Sequence, residues 1–382
     1  MRAPDLNEAL HLLEALHKKS PAHPPERISG NVVLYGAGNL GKLALRYLRH
    51  VDVHVEFAID RAATIGMLLN DEVTVYAPSD VPRRFDLPVL VTTASAPYSL
   101  IYRQLRDWGW KRVLPFYDYA QNFNAHHPLN NGWFSGAFSP DDQAGTKSVL
   151  VSLADAHSRA AYLQFLAWRL LREDWIYDDA PVTPNNRYFI NPVLDVLTDT
   201  ENFIDVGAYD GCVLLRLLEI TGNRLSSALL IEPDTQNIVL LKDSLLKLPP
   251  ELRAKIDILP VVLTDTNGQL PFSHGFDMAS RVCEINSTPT ASVKLDDLDV
   301  SPSFIKMHIE GGEYNALRGG LKTLETNRPI TTTTLYHNRD GLWKIPDLLV
   351  KKLTDYVFLL RLHSWVGTGC VLYAIPRERY SC

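Results

Sequence analysis

The stretch FIKMHIEGGEYNALRGG, residues 304–320, places a base, an imidazole and a carboxylate at alternate positions: Lys306, His308 and Glu310. Side chains alternate along a strand, so these three share a face, while Phe304, Ile305, Met307 and Ile309 suit burial. A strand inside a parallel sheet is ordinarily apolar on both faces. The polar row ends at Gly311-Gly312, which lets the chain turn close to a ligand without a Cβ clash. His308 suits proton acceptance because an imidazole titrates near pH ~6.5; Glu310 would orient its ring or be the base itself. A second chemistry is open to the same residues, with Glu310 and Glu313 holding a divalent cation and His308 or a distant aspartate as co-ligand. A third leaves His308 tied structurally to Lys306 or Glu310, and Glu310 stabilising a helix N-terminus.

Two glycine loops lie upstream, and they favour opposite charges. Gly36-Ala37-Gly38-Asn39-Leu40-Gly41 stands between a strand and a helix, and Asp60 ends the next strand, in the pattern of a dinucleotide fingerprint. Backbone amides at such a helix start favour a pyrophosphate. Tight strand-to-helix turns need glycine without any ligand too, so Gly36, Gly38, Gly41 and Asp60 read as a nucleotide or NAD(P) site or as a structural loop. No hydride-transfer pair such as Tyr-x-x-x-Lys follows. In FIDVGAYDG, by contrast, Asp205 stands two residues before Gly207. A carboxylate there repels pyrophosphate but attracts an ammonium, and S-adenosylmethionine carries an ammonium and a sulfonium with no phosphate. Glu232 follows at the distance where an acid takes ribose hydroxyls. Asp205, Gly207, Ala208, Tyr209, Asp210, Gly211 and Glu232 are therefore the expected cofactor contacts. Asp265, after the third strand, meets the adenine amino group or closes a turn.

The elements that must carry these residues form two α/β series. Residues 31–118 alternate strand and helix as a small unit with a parallel sheet. The N-terminal stretch before it spaces Leu6, Ala9, Leu10 and Leu13 as an amphipathic helix. Residues 119–148, rich in Asn, Gly, Pro and His, read as a linker. A long helix at 152–174 opens a second series with strands FIDV, ALLIE, DILPVVL, FIKMHIE, PITTTTLY, VFLLRLH and CVLYAIP. Asn267-Gly268 predicts that the third of these strands turns back on itself. The expected domains are 1–118, the linker 119–148, and 149–382.

Composition narrows the classes. The chain has 382 residues, 46% hydrophobic and 21% charged, with a formal charge of −6 and no long basic run, which argues against a nucleic-acid partner. Cys212, Cys283, Cys370 and Cys382 form no CxxC pair, as expected of a reduced chain without a zinc knuckle. No window approaches the ~18 apolar residues a membrane span needs. Acids interrupt what would be a signal-peptide core, so a cytoplasmic protein without membrane association is expected.

FIDVGAYDG, LIEPD, SVKLDDL, FIKMHIEGGEYNALRGG and LYHNRDGLWKIPDLL together resemble the FkbM family of methyltransferases, over roughly 150–377. The resemblance implies an α/β fold of two Rossmann-like units, the second a seven-stranded class I methyltransferase sheet of order 3-2-1-4-5-7-6. It also implies S-adenosylmethionine as donor and O-methylation of a sugar, glycan or glycosylated natural product, with a small-molecule or saccharide acceptor as partner; a homo-oligomer is allowed for. FIKMHIE becomes the fourth strand, whose carboxyl end faces the ligand crevice. His308, Glu310, Glu313 and His337 are then the catalytic candidates, and Tyr336 and Lys306 the acceptor contacts. The sequence departs from the family pattern at Tyr209, where a third glycine is common. It departs again at Lys306-Met307-His308-Ile309-Glu310-Gly311, where His308 replaces an aspartate. Two rival readings remain: a non-catalytic nucleotide or sugar sensor, and an NAD(P)-dependent oxidoreductase using the Gly36 loop.

Overall fold

A computed structural model describes residues 1–25, 27, 30–275 and 279–380. Cys382 lies outside the described residues, and Cys212, Cys283 and Cys370 are free thiols. The chain begins with α1 (Leu6–His17), started by a reciprocal capping box between Asp5 and Glu8. A six-stranded sheet follows, built from β1 (Val32–Tyr35), β2 (Val55–Ile59), β3 (Leu68–Leu69), β4 (Val73–Tyr76), β5 (Val89–Val91) and β6 (Val113–Pro115). Its order is β3-β4-β2-β1-β5-β6, parallel except for the short β3. Helices α2 (Asn39–His50) and α3 (Tyr98–Asp107) cover it.

Ala9, Leu13 and Leu16 of α1 are buried in the larger core, with Phe165 and Leu166. The N-terminal helix thus packs on the second unit, not on the small one to which its sequence position assigned it. The segment read as a linker is also more structured than expected. The end of α4 (Phe116–Ala120) runs into it, and α5 (Pro140–Ser152) starts inside it, behind a Ser139–Asp142 capping box with proline at the first position.

Helix α6 (Ala156–Leu171) is buried along most of its length and closes one face of the second sheet against β16 (Tyr356–Leu362). After a single turn, α7 (Asn191–Leu194), come β7 (Asn202–Val206), α8 (Cys212–Thr221), β8 (Ser227–Ile231), α9 (Thr235–Leu245), α10 (Pro250–Arg253) and β9 (Ile256–Leu259). The sheet is completed by β14 (Phe304–Met307), β15 (Ile330–Thr334) and β17 (Cys370–Pro376). The order β16-β17-β15-β14-β7-β8-β9 is the expected 3-2-1-4-5-7-6 written from the other edge, with β17 antiparallel to both neighbours. Helices α11 (Glu313–Arg318), α12 (Leu321–Asn327) and α13 (Lys344–Lys352) fill the connections.

The stretch DILPVVL is two strands rather than one. Pro260 offers no N–H to a ladder, and the chain leaves the large sheet there. Beyond it, β10 (Val262–Leu263), β11 (Gly268–Ser273), β12 (Arg281–Val282) and β13 (Thr288–Val293) form a separate sheet of order β10-β13-β11-β12. β10 and β11 both pair with β13, so Asn267-Gly268 does not close the predicted hairpin. Asn267 instead bonds Asp297 and the Lys294 amide.

Candidate active site

The loop after β7 and the end of β14 touch directly. Gly207 has φ +77°, and a Cβ there would lie 1.9 Å from the His308 carbonyl oxygen, so only glycine fits. Tyr209 is held at φ +52°, an uncommon conformation for a bulky residue. Its amide donates to Glu232 Oε2 at 2.9 Å, while Glu232 Oε1 receives the Asp234 amide and the Asn237 side chain. Three of roughly four carboxylate acceptor positions are thus used by the fold, leaving less for ribose than the spacing promised. Asp210 accepts the Cys212 amide at the start of α8. Ala208 is buried against the same turn.

Lys306 and Asp205 are both buried and pair at 2.7 Å. The remaining Lys306 donors reach the carbonyls of Gly207 at 2.6 Å and Val206 at 3.4 Å. Burial acts against the ammonium, but Asp205 outweighs it and keeps Lys306 charged. Lys306 therefore has no donor left for an acceptor, and its expected substrate role gives way to a structural one. Asp205 in turn is already balanced by a cation. Its Oδ2 is buried without a partner, the one part of that carboxylate the fold leaves unused.

His308 and Glu310 lie beyond the last ladder residue, Met307, and Glu310 takes φ +54°. For a non-glycine residue this stores strain, of the kind that gathers at functional sites. The Asn130 side chain bonds its carbonyl from the connecting segment. The four catalytic candidates come together here. His308 Nε2 is 3.0 Å from Glu310 Oε1, His337 Nε2 is 3.2 Å from the same oxygen, and His337 Nδ1 is 2.7 Å from Glu313 Oε1. The His308 and His337 rings stack, with centroids 5.0 Å apart. Glu313 also accepts the amides of Ile309 and Gly311 and the Thr334 hydroxyl.

The hydrogen bonds fix the His308 tautomer. A carboxylate only accepts, so Nε2–H points to Glu310, and Nδ1 receives the Tyr188 hydroxyl at 2.8 Å. Burial pushes this imidazole down to about 4, keeping it neutral. Burial also acts to lower His337, but Glu310 and Glu313 on either side raise it to about 10. Glu310 is held well below the usual carboxylate range, its burial overcome by His337 and His308.

Tyr336 places its hydroxyl 3.1 Å from His308 Nε2, and Arg187 donates to that hydroxyl at 3.2 Å. Arg187 and Tyr188 also line a cleft of about 560 Å³, with Asn185, Cys212 and Arg216, at the start of α8. Sequence reasoning singles out neither Tyr188, Asn130 nor Arg169. Arg169 is buried and donates to the carbonyls of Asn131, Trp133, Tyr336 and Gly367, fastening the connecting segment behind the site. The run Arg187-Tyr188 carries no local signal of its partner 120 residues away.

Other expected residues fall elsewhere. Asp265 pairs with Arg318 at 3.2 Å. Asp296, in the SVKLDDL motif, caps α12 by accepting the Lys322 and Thr323 amides. In the small unit, Asp60 accepts the Ala37 and Ala62 amides, and Thr92 donates to the Gly36 carbonyl. A Cβ on Gly36 or Gly41 would collide with Thr92 or Gly36 backbone atoms; Gly38 faces open space. Packing alone thus accounts for two of the three glycines in that fingerprint.

A sheet of this order, with a glycine loop after its first strand and an acid after its second, defines a class I methyltransferase fold. The sequence it carries agrees: residues 205–360 match the model of the methyltransferase FkbM domain. A crystal structure of methyltransferase FkbM from Methylobacillus flagellatus KT shares 20% identity at a TM-score of 0.67, covering 97% of this chain and 99% of that one. The two-unit fold is therefore common to both. A precorrin-6y C5,15-methyltransferase from Geobacter metallireducens GS-15 matches at 14% identity and a TM-score of 0.31, over 52% of this chain and 92% of its own. An SAH-bound methyltransferase from Podospora anserina matches at 10% and 0.31, over 62% and 88%. At such scores neither bears on the site. No curated protein matches the sequence.

Proposed function

We propose that the chain transfers a methyl group from S-adenosylmethionine to a hydroxyl of a sugar, glycan or glycosylated natural product. The observation that carries this reading is the convergence of His308, Glu310, His337 and Glu313 at the carboxyl end of β14 and β15, directly against the Gly207 turn. When bound, S-adenosylmethionine supplies an electrophilic methyl on a sulfonium. The chain's residues fit such a donor in a defined way. The unused Oδ2 of Asp205 suits an ammonium, and Glu232 retains about one acceptor position. No phosphate-binding cation lies among these residues.

An aliphatic hydroxyl is a weak nucleophile, so its proton must be taken up or its acidity raised as the new bond forms. The His308–Glu310 end of the cluster is the partly exposed end and meets the acceptor. The His337–Glu313 end is buried and positions it. Tyr336, fixed by Arg187, offers a hydroxyl to an acceptor in the same space.

The test is calorimetry with S-adenosylhomocysteine, paired with a methyl-transfer assay on glycosylated acceptors. Saturable binding is expected in the wild type and in the His308→Ala and Glu310→Ala variants, with turnover lost in both by at least about 100-fold. Absence of donor binding to folded wild-type protein would overturn the reading, as would undiminished turnover in both variants.

A further inference from the structure

The resting geometry leaves the expected general base without a free lone pair. His308 Nε2–H faces Glu310, and Nδ1 is occupied by Tyr188. The same geometry leaves a different group unused. His337 Nε2 is buried, 3.2 Å from Glu310 Oε1, and yet not aligned for a hydrogen bond with it or with any other group. Two imidazole nitrogens from separate strand ends therefore converge on one carboxylate oxygen, one through a hydrogen bond and the other through an ion-pair contact alone.

We propose that His308 Nε2, Glu310 Oε1 and His337 Nε2 form a binding site for a single divalent first-row transition ion. The three donor groups lie within 4.8 Å of one another. Bonds of about 2.1 Å meeting at 90–109° place neighbouring donors roughly 3.0–3.4 Å apart; the two histidine-to-Glu310 separations are 3.0 and 3.2 Å. Two imidazole nitrogens, with His337 giving up its Nε2 proton to solvent as the ion binds, and one carboxylate suit zinc, cobalt, manganese or iron better than magnesium, which prefers an all-oxygen shell.

The surroundings supply what such a site needs. A metal-bound histidine usually gives its other ring nitrogen to a carboxylate or another acceptor, which fixes tautomer and orientation. Glu313 does this for His337 at 2.7 Å, and is itself fixed by Ile309, Gly311 and Thr334. Tyr188 does it for His308 once the ring is turned to its other tautomer, with Nδ1–H donating to the phenol oxygen. The His308 and Glu310 side chains keep 21% and 11% exposure, so further coordination positions open toward the acceptor side. This use rests on the methyltransferase reading: an ion there would take the acceptor hydroxyl as a ligand and lower its pKa, which removes the need for a free imidazole. Binding of the ion stands independently of that use.

The experiment uses the full chain, freed of metal by chelator dialysis and titrated with Co²⁺ and Zn²⁺ under calorimetry, with the visible Co²⁺ spectrum recorded. One ion per chain is expected, with d–d bands showing nitrogen and oxygen ligation and with Mg²⁺ failing to compete. Glu313→Gln should weaken binding roughly 10- to 100-fold as the loss of an outer partner, and His337→Ala should abolish it. Replacing both His126 and His127 in the connecting segment should change nothing. Failure of folded wild-type protein to bind Co²⁺ or Zn²⁺ overturns the site, and so does binding that survives His337→Ala or disappears with His126 and His127. S-adenosylhomocysteine binding to the metal-free protein is measured alongside. Donor binding without metal binding sinks this inference alone, and metal binding without donor binding sinks only the methyltransferase reading.

Discussion

At the scale of single residues, the buried Lys306–Asp205 pair shows how a motif can be legible and its role misplaced. The sequence shows a lysine and an aspartate at strand positions that β7–β14 pairing brings side by side. It does not show that all three ammonium protons are consumed by Asp205 and two carbonyls. Removing one member of a buried pair strands the other charge, at a cost of about 3–5 kcal/mol, whereas replacing both is often near neutral. Lys306→Met should therefore lower unfolding stability by about that amount in urea, and Lys306→Met with Asp205→Asn should recover most of it. If instead Lys306→Met keeps full stability and loses only acceptor affinity, the lysine is a substrate contact after all. The candidate catalytic group divides in the same way. Lys306, His308 and Glu310 declare themselves by alternation, and His337 by its place at a strand end. The Glu313–His337 contact and the Tyr188 partner of His308 appear only once the sheet assembles them.

At the scale of elements, the two glycine loops look alike in sequence and differ in what demands their glycines. At Gly207 both φ +77° and the His308 carbonyl exclude a side chain. Gly207→Ala should destabilise the fold by at least about 2 kcal/mol and abolish donor binding. Gly38, the N-cap of α2 at φ −74° with open space around it, should accept alanine for about 1 kcal/mol or less. A larger effect on a bound dinucleotide than on stability would restore the nucleotide reading of that loop. The antiparallel β16–β17 pair carries a separate, testable load. His363 is buried, donates from Nδ1 to the Thr183 carbonyl and holds Nε2 2.6 Å from the Tyr373 hydroxyl, and burial lowers its pKa to about 4. Since the unfolded chain titrates near 6.5, it binds more protons than the folded one between those values. The stability from a neutral His363 is complete above pH 6.5 and is lost as pH falls toward 4, by roughly 3 kcal/mol. Denaturation across that window should show a shallower slope in His363→Gln than in the wild type. The strand sequence VFLLRLH announces a buried strand, but not the fate of its final histidine.

At the scale of the whole molecule, the order of the chain is a poor guide to which parts fold together. The large sheet's strand order was legible through the family resemblance, whose motifs the fold brings to a common edge at the strand ends. Helix α1 had no such motif, and its amphipathic face says only that it packs on something. In the folded chain Ala9, Leu13 and Leu16 join the core beneath α6, while the Met1 ammonium donates to the Ile176 carbonyl and the Ala3 amide to Asp179. The first residues thus complete the second unit, with the small β1–β6 unit standing as an insertion between α1 and α5. Truncating a buried leucine to alanine costs about 2–5 kcal/mol. Leu13→Ala and Leu16→Ala should each weaken the methyltransferase unit by that order. Hydrogen exchange gives the decisive readout. Amide protection should fall along α1, α5 and α6, with little change in β1, β2 and β5. Loss of protection in the small sheet with α6 unaffected would return α1 to the unit its position in the sequence suggests.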